Sequence, residues 1–360
     1  MCGGECLSDN ACHGPVPDTY DRQPPNYHNP TVASQAWEVS MPHTPSWATR
    51  FIASFGLWIW LIIPAGAEAP QVRTQAPGFY RMMLGDFEVT VLSDGTASRH
   101  VDEIMSKPKE IRKALANAHQ ALPIELSINA FLINTGVQLI LVDAGAGELF
   151  GPASGGRLIA NLRAGGYQPE QIDAVLLTHI HADHSGGLSL GGRRVFPNAL
   201  VFVDRRDSDY WLGAESERAA PTAMKKTFQQ SHATLDPYVA ADKLRPFDGT
   251  RELFPGINAI PSYGHTPGHT AYLVKSKDKQ ILLWGDTIHV AEAQFADPEI
   301  TIEYDVDRDA AIASRKRLLA DAGKQGTLIG AAHISFPGLG HVRTDAQGYS
   351  WVALPYGAGQ

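Results

Sequence analysis

The stretch that decides how this 360-residue sequence is interpreted is Thr178-His179-Ile180-His181-Ala182-Asp183-His184. It places four metal-ligand side chains within six positions, directly after the apolar run Ile172–Leu177. Because a strand points alternate side chains to one face, the imidazoles at 179 and 181 can converge on one ion. The carboxylate at 183 and the imidazole at 184 follow in a turn, which can direct them to a second ion. The stretch therefore predicts a metal centre at the end of a buried strand.

Three later elements have the same form, with a ligand side chain at the boundary of an apolar strand. His269 begins one predicted strand, Asp286 follows a second and His333 follows a third. Together with the first stretch they supply seven nitrogen and oxygen ligands, enough for two ions that share a carboxylate: His179, His181, Asp183, His184, His269, Asp286 and His333. Imidazole and carboxylate without thiolate favour two divalent ions such as Zn²⁺, with Mn²⁺, Co²⁺ or Fe²⁺ as alternatives.

The order of these motifs resembles that of the metallo-β-lactamase superfamily. The resemblance spans essentially all of residues 78–360, and it implies that residues 68–360 form a single hydrolase domain. It implies an α/β fold, an αββα sandwich of two packed mixed sheets with outer helices and a two-metal site at one edge. Within the superfamily the chain is most similar to the methyl parathion hydrolases. The stretches that carry this similarity are Phe79–Thr90, Leu141–Gly145, Gly166–Gln171 and Ser335–Gly338.

Carried over residue by residue, the resemblance implies the role of each ligand. One ion would be bound by His179, His181 and His269. The other would be bound by Asp183, His184 and His333. Asp286 would bridge the two ions, and Asp286 and Asp183 would be the catalytic carboxylates. The aromatic substrate pocket of the family would correspond to Phe150, Trp211 and Phe228.

These assignments imply a dinuclear metal hydrolase of neutral esters that uses a metal-bridging hydroxide. No cluster of Arg or Lys lies beside the metal motifs in the sequence, so a free phosphate monoester is a poorer substrate than a neutral ester. The favoured activity is hydrolysis of organophosphorus triesters. A lactonase acting on acyl-homoserine lactones, or an aryl esterase, is the alternative with the same metal site. A di-iron oxidoreductase and a non-catalytic metal-binding protein are alternatives of other classes.

Periodicity predicts the main elements independently of the resemblance. Strands occur in two groups with helices after each, which favours two packed sheets. A strand is predicted over Phe87–Leu92, with a turn at Ser93–Gly95, and a helix over Thr222–Ser231. The strongest helical pattern is Asp307–Ala322, whose basic run Arg315–Arg317 is expected to lie largely in solvent.

Composition excludes several classes of protein. The net charge of −8 argues against a nucleic-acid-binding protein, which would present a basic face. No run reaches the 18 or so apolar residues of a membrane-spanning helix. The metal motifs and the family resemblance imply a small neutral ester, lactone or phosphotriester as the partner, and the resemblance adds a homodimer.

The first 67 residues are predicted to lie outside the catalytic domain. Residues 1–40 have no sustained apolar period and are interpreted as a disordered leader or the product of a misplaced start codon. Residues 41–67 contain Arg50, the apolar run Phe51–Ile63 and the small-residue exit Ala65–Ala67, the three parts of an export signal. The sequence therefore predicts a protein that is periplasmic or secreted, and cytoplasmic only if the signal is not used.

Overall fold

A computed structural model describes residues 69–346 and 348–357. Contacts within the chain group Val72–Gln360 as one unit. The leader predicted at 1–40 and the signal peptide predicted at 41–67 lie outside the described residues. Among the helices that are described, none is both long enough and apolar enough to cross a bilayer.

The first sheet has seven strands in the order β1-β2-β3-β4-β5-β8-β9. These strands are β1 (Phe79–Leu84), β2 (Phe87–Arg99), β3 (Ile124–Asn134), β4 (Leu139–Val142), β5 (Ala174–Leu176), β8 (Leu200–Asp204) and β9 (Leu244–Phe247). The first four strands pair antiparallel, and β4, β5, β8 and β9 pair parallel. The sheet is therefore mixed. Between β5 and β8, the short strands β6 (Ser189–Leu190) and β7 (Arg193–Arg194) form a separate two-stranded ribbon.

The second sheet also has seven strands, in the sequential order β10 to β16. They are β10 (Arg251–Phe254), β11 (Ile257–Pro261), β12 (Thr270–Ser276), β13 (Lys279–Leu283), β14 (Leu328–Gly330), β15 (Leu339–Asp345) and β16 (Gly348–Ala353). All neighbouring pairs are antiparallel except β13 and β14, which are parallel. A parallel pair requires a crossover, and the longest helix of the described residues supplies it.

The helices join or flank these strands. They are α1 (Val101–Ile104), α2 (Pro108–Asn117), α3 (Leu158–Ala164), α4 (Ala182–Ser185), α5 (Arg205–Trp211), α6 (Ala214–Ala219), α7 (Lys225–Val239), α8 (Ala291–Gln294) and α9 (Arg308–Gln325). The α9 helix begins after Asp307, whose side chain accepts a hydrogen bond from the Ala310 N–H, and ends at Gly326 in the left-handed region.

Three buried clusters show that the layers are stacked as the αββα arrangement requires. Between the sheets, Phe131 of the first packs in one cluster with Tyr272 of the second. On the outer face of the first sheet, Trp211 of α5 and Phe228 of α7 are buried against its strands. On the outer face of the second sheet, Leu319 belongs to the cluster that attaches α9. The predicted fold class is confirmed.

The strand β2 differs from its prediction because it does not end at Ser93–Gly95. It continues to Arg99, and the register with β3 shifts by one residue between Ser93 and Gly95. This bulge directs the buried Asp94 carboxylate out of the ladder. The carboxylate then accepts hydrogen bonds from the N–H groups of Ala146, Gly156 and Leu158 at 2.8 to 2.9 Å. The turn signal in the sequence is therefore a bulge that fixes the long loop after β4.

Three further predictions need correction. The helix predicted over Thr222–Ser231 begins at Lys225 and extends to Val239 despite an internal Pro237. The predicted strand before His333 is present as β14, but two further strands, β15 and β16, follow it, and their mixed exposure hides them in the sequence. Finally, Arg315 does not lie in solvent with its neighbours, because it is only 2% exposed.

The Asp94 bulge gives a stability prediction. Asp94→Ala leaves three backbone donors without their acceptor, two of them buried, so it should lower the free energy of unfolding by about 3 kcal/mol or more. Urea denaturation measures the change. The control is Asp248→Ala, which removes an exposed ion pair with Arg205 and should cost less than about 1 kcal/mol. Equal losses in the two variants would contradict the bracing role of Asp94.

Candidate metal centre

The end of β5 presents the first group of ligands. Strand β5 leads into extended backbone at His181, and the single turn α4 then carries Asp183 and His184. His179 Nε2 lies 3.0 Å from His181 Nδ1, so the two imidazoles converge as predicted, although β5 ends at Leu176 and both residues lie in the loop beyond it. The Asp143 carboxylate orients this segment, because it accepts a hydrogen bond from the Thr178 N–H at 2.8 Å and lies 2.9 Å from His184 Nδ1.

Asp286 lies at the centre of the remaining ligands, in a short 3₁₀ turn that follows β13. Its Oδ2 lies 3.2 Å from His265 Nε2 and 3.6 Å from His179 Nε2. Its Oδ1 lies 3.0 Å from His184 Nε2 and 3.1 Å from His333 Nε2. The two oxygens of one carboxylate therefore face two different sets of imidazoles, which is the arrangement that a bridging ligand requires.

The ligand atoms form two adjacent groups, each compact enough to hold one ion. Within each group the atoms lie within 4.8 Å of one another: His179, His181, His265 and Asp286 in the first group, and Asp183, His184 and His333 in the second. A third compact set, Asp286, His289 and His333, shares one residue with each of these two groups. The structure therefore brings together six of the seven side chains expected from the sequence, namely His179, His181, Asp183, His184, Asp286 and His333.

The structure groups His265, and not the predicted His269, with the other candidate ligands. His269 Nδ1 lies 2.9 Å from the Ser262 carbonyl oxygen, and its Nε2 accepts a hydrogen bond from the backbone N–H of Asp286 at 3.0 Å. Both ring nitrogens are thus occupied by backbone groups. Burial and neighbouring imidazolium charge lower the pKa of His269 to about 3, so it stays neutral. His265 comes four residues earlier in the same motif, and its Nε2 faces His181 at 3.1 Å.

The electrostatics of the centre are those of a site for cations. Burial lowers the pKa of His179 and His181 well below 6.5. Burial acts in the same direction on His265, but its hydrogen bonds to Asp286 and Asp305 outweigh it and raise the pKa to about 9. The imidazoles around Asp286 hold the pKa of its carboxyl well below 3.8, against the effect of burial, so it is ionised.

The donor set fits a pair of divalent ions. Two buried atoms, His184 Nε2 and Asp286 Oδ1, lie 3.0 Å apart but have no hydrogen-bond partner among the described residues. A buried polar atom without a partner is costly unless something else binds it, and a metal ion accepts both a nitrogen and an oxygen donor. The absence of sulfur in both groups agrees with the ligand preferences of Zn²⁺, Mn²⁺, Co²⁺ and Fe²⁺.

Comparison with known proteins identifies the family. The sequence model of the Metallo-beta-lactamase superfamily matches residues 123–333, more than half of the chain. This chain belongs to the metallo-β-lactamase superfamily. Membership agrees with the two mixed sheets and with the ligands at their edge.

Several members of the superfamily resemble the chain in structure or in sequence. The hydrolase AbOPH is 34% identical, with a TM-score of 0.75, over 79% of this chain and all of that one. The dizinc quorum-quenching lactonase AidC, solved with a product, is 28% identical, with a TM-score of 0.72, over 78% of this chain and 98% of that one. The N-acyl homoserine lactonase of Bacillus cereus is 24% identical over 49% of this chain and 62% of its own length. The lactonase AttM of Azorhizobium caulinodans is 30% identical over 37% of this chain and 48% of its own length. The chain thus spans 62% and 48% of the length of these two curated relatives.

A cavity of about 480 Å³ opens onto the centre. The side chains of His181, Asp183, Asp286 and His333 contribute to its floor. Its walls carry both apolar and polar side chains: Ala97, Arg99, Ile104, Leu126, Ile128, Leu149, Phe150, Ser154, Ala182, Ala223, Lys226, Thr227, Gln230, His289, Ile302 and Tyr304. The centre is therefore accessible to a small molecule.

Only one of the three predicted pocket aromatics lines this cavity. Phe150 lines the cavity. Trp211 and Phe228 are fully buried, because α5 and α7 pack them against the first sheet. Their ring centroids are 4.9 Å apart, and Trp211 meets the edge of His181 at 5.3 Å. These two aromatics support the centre from behind and do not face the cavity.

Sequence reasoning missed several residues of the cavity. His289 Nε2 lies 3.1 Å from Asp286 Oδ2, and its ring stacks on His333. The Arg99 guanidinium lies 5.0 Å from the centroid of the Phe150 ring. Lys226 of α7 also lines the cavity. Neither cation has an ion pair among the described residues. They come from segments distant from the ligand motifs, so a search for basic residues beside those motifs in the sequence could not find them.

The choice between His265 and His269 can be tested by metal analysis. His265→Ala should lower the affinity for the ion of its group by at least about tenfold, because it removes a direct ligand, and the protein should retain close to one Zn²⁺. His269→Ala removes no ligand and should retain two. Zinc content after gel filtration measures the difference, and His232→Ala, at an exposed position, is the control. Loss of zinc from the His269 variant alone would reverse the assignment.

The pKa of His265 also sets how zinc binding depends on pH. In the metal-free protein this imidazole has a pKa of about 9, so at pH 7 it must lose a proton before it can bind an ion. Zinc binding should therefore release protons at pH 7, and the apparent affinity should rise as the pH increases from 6 to 9. Calorimetry in buffers of different ionisation enthalpy measures the proton release. An affinity independent of pH over this range would contradict the prediction.

Proposed function

We propose that this chain is a dinuclear metal hydrolase of neutral lactones, with N-acyl homoserine lactones as the substrate class. The observation that carries the proposal is the cavity that reaches both ligand groups beside Asp286 and offers apolar side chains to an acyl chain. The relatives that are named for a substrate are N-acyl homoserine lactonases, which supports the lactonase alternative over the organophosphorus triester hydrolase favoured from the sequence.

When bound, the two ions supply an ionised water near neutral pH and polarise the substrate carbonyl. The chain contributes the geometry of the reaction. Asp286 holds the two groups of imidazoles at a fixed separation through its two oxygens. Asp143 fixes the ring of His184, and the carbonyl oxygen of Ser127 fixes the ring of His333 at 2.8 Å. Such hydrogen bonds select the tautomer that leaves Nε2 free for an ion.

Asp183 is the carboxylate that we assign to proton transfer. It lines the cavity and its side chain is 21% exposed, whereas that of Asp286 is 4% exposed. In lactone hydrolysis, water adds to the carbonyl carbon, the ring C–O bond breaks and the alkoxide leaving group takes up a proton. Asp183 lies at the edge of the cavity, where it can accept the proton of the attacking water and return it to the alkoxide.

The wall of the cavity explains why a lactone with an acyl chain suits the site. Ile128, Phe150 and Ile302 offer apolar surface, and each buried methylene of an acyl chain contributes about 0.8 kcal/mol. Arg99 and Lys226 supply hydrogen-bond donors for an amide or ring carbonyl. The acyl chain of a lactone can therefore contact the apolar side chains, and its carbonyl oxygens can accept hydrogen bonds from the two basic side chains. Neither contact needs a charged group on the substrate.

We also propose export of this hydrolase by the segment 41–67, followed by cleavage after Ala67. Sequencing of the N-terminus of the protein recovered outside the cytoplasm tests this proposal. A mature chain that begins near residue 68 is expected, and one that begins at Met1 would contradict it. The homodimer expected from the family resemblance stays a prediction.

A substrate panel on one zinc-loaded preparation tests the proposed function. The kcat/KM for N-hexanoyl homoserine lactone should exceed that for an aryl ester and for a dimethyl aryl phosphotriester by at least about tenfold. Asp183→Asn should lower kcat for the lactone by about 10²- to 10⁴-fold, because it removes both the proton carrier and a carboxylate of the second ligand group. Asp236→Asn, at an exposed position on α7, is the matched control. A preference for the phosphotriester, or no hydrolysis of the lactone, would refute the proposal.

A further inference from the structure

The buried Arg315 is the starting point, because its position is costly. Its guanidinium lies beneath α9 and donates hydrogen bonds to three carbonyl oxygens, those of Thr287 at 2.8 Å, Pro298 at 2.8 Å and Ile300 at 3.0 Å. A buried charge is tolerated only where several hydrogen bonds and a counter-charge offset its desolvation. The three carbonyls come from two separate segments. One is the turn that carries Asp286, and the other is the segment that leads into the wall of the cavity.

Asp305 supplies the counter-charge and connects it to the metal centre. Its side chain is fully buried, with Oδ2 3.9 Å from the Arg315 guanidinium and within hydrogen-bond distance of the Ile302 N–H at 3.1 Å. Its Oδ1 lies 2.8 Å from Nδ1 of His265. This contact makes Nδ1 the protonated nitrogen of His265, and it directs Nε2 toward Asp286 and the other ligands.

The backbone strengthens this connection. The Val306 N–H donates to the His265 carbonyl at 3.0 Å, and the Asp307 N–H donates to the Gly264 carbonyl at 2.9 Å. Gly264 has a φ of +129°, and an added Cβ would meet the backbone of Ala311 at 2.1 Å. The loop that carries His265 is therefore fastened along the segment that follows Asp305.

The same segment forms part of the cavity wall. Ile302 and Tyr304 line the cavity and lie within three residues of Asp305. A residue with a purely structural role would stabilise the segment without affecting the ligand. Here one carboxylate contacts the wall through the Ile302 N–H and the ligand through Nδ1 of His265, so the position of the wall and that of the ligand are linked.

We propose that Asp305 is a positioning residue of the metal centre. With Arg315 as its counter-charge, it holds His265 for its ion and fixes the cavity wall relative to it. The proposal rests on the proposed function, since it takes His265 as a ligand. In both His265 and His184, Nδ1 contacts a carboxylate, that of Asp305 and that of Asp143. In His333, Nδ1 contacts a backbone carbonyl oxygen instead. A carboxylate partner makes the imidazole a more basic ligand than a carbonyl partner does.

The experiment compares the full-length wild-type protein with three variants. Asp305→Asn keeps the shape and an acceptor but loses the charge, and Asp305→Ala loses both. The matched control is Asp307→Ala, two residues away, which removes the N-terminal cap of α9 and should lower the urea midpoint. This variant keeps the backbone N–H that donates to the Gly264 carbonyl, and its side chain does not contact the centre. Zinc content and zinc affinity, by competition with a chromophoric chelator, are measured beside urea denaturation and the visible spectrum of the Co²⁺-substituted protein.

The expected result is a graded loss at one of the two sites. Asp305→Ala should weaken the zinc that His265 binds by about 10- to 100-fold, and Asp305→Asn by a smaller factor of at least about threefold. Both should change the Co²⁺ spectrum, whereas Asp307→Ala should change only the urea midpoint. Should Asp305→Ala fail to fold, the isosteric Asn variant decides alone.

Unchanged zinc affinity and an unchanged Co²⁺ spectrum in Asp305→Asn would overturn the proposal, and so would a loss of stability alone in both Asp305 variants. The failure of the proposed function has a different signature. In that case the wild-type protein itself would not hydrolyse the lactone. The zinc affinities of the variants would still show whether Asp305 positions His265.

Discussion

The carboxylate of Asp286 is the feature on which the rest of the centre depends. Six imidazoles lie close together around this carboxylate, where protonated forms would repel one another: those of His179, His181, His184, His265, His289 and His333. Asp286 offsets this repulsion because its two oxygens face different imidazoles, with contacts of 3.0 to 3.6 Å. The strongly lowered pKa of its carboxyl reflects the same balance. Without it, the two ligand groups would have no shared donor and would be two separate histidine clusters.

The sandwich supplies this carboxylate and its partners from both sheets. The stretch 178–184 follows β5 of the first sheet, whereas Asp286 and His333 follow β13 and β14 of the second. Buried Asp207 joins the two sides, since it accepts hydrogen bonds from the N–H groups of Ile180 and Gly268 at 2.7 Å. The centre therefore requires one fixed position of the two sheets relative to each other, and the buried cluster between the sheets sets that position.

Sequence reasoning predicted the layers and most of the ligands because both depend on local patterns. Apolar runs that end in histidine or aspartate identify strand ends. Residues 179, 181, 183 and 184 are so close in the sequence that they stay close in space however the sheets pack. His265 and His269 could not be separated in this way. Both flank the same turn, and only the three-dimensional contacts show that the backbone of Ser262 and Asp286 occupies both nitrogens of His269.

The other errors have the same origin. Trp211 and Phe228 belong to the correct region, but helix packing turns them into the core and leaves the cavity to Arg99, His289 and Tyr304 from distant segments. Arg315 belongs to a basic run that predicts exposure to solvent. It is buried because its guanidinium donates hydrogen bonds to carbonyl oxygens of segments far away in the sequence. Patterns along the chain report which residues lie inside, but the pairing of buried polar groups is decided by segments that are far apart.

The chemistry of the donor set has a consequence for the conditions in which such a centre can work. All its candidate ligands bind through nitrogen or oxygen, and the three cysteines of the chain are confined to positions 2, 6 and 12. Thiolate ligands are lost when peroxide or disulfide exchange converts the sulfur. Imidazole and carboxylate do not undergo that chemistry, so this centre can keep its ligands in an oxidising environment where a cysteine-based site would be destroyed.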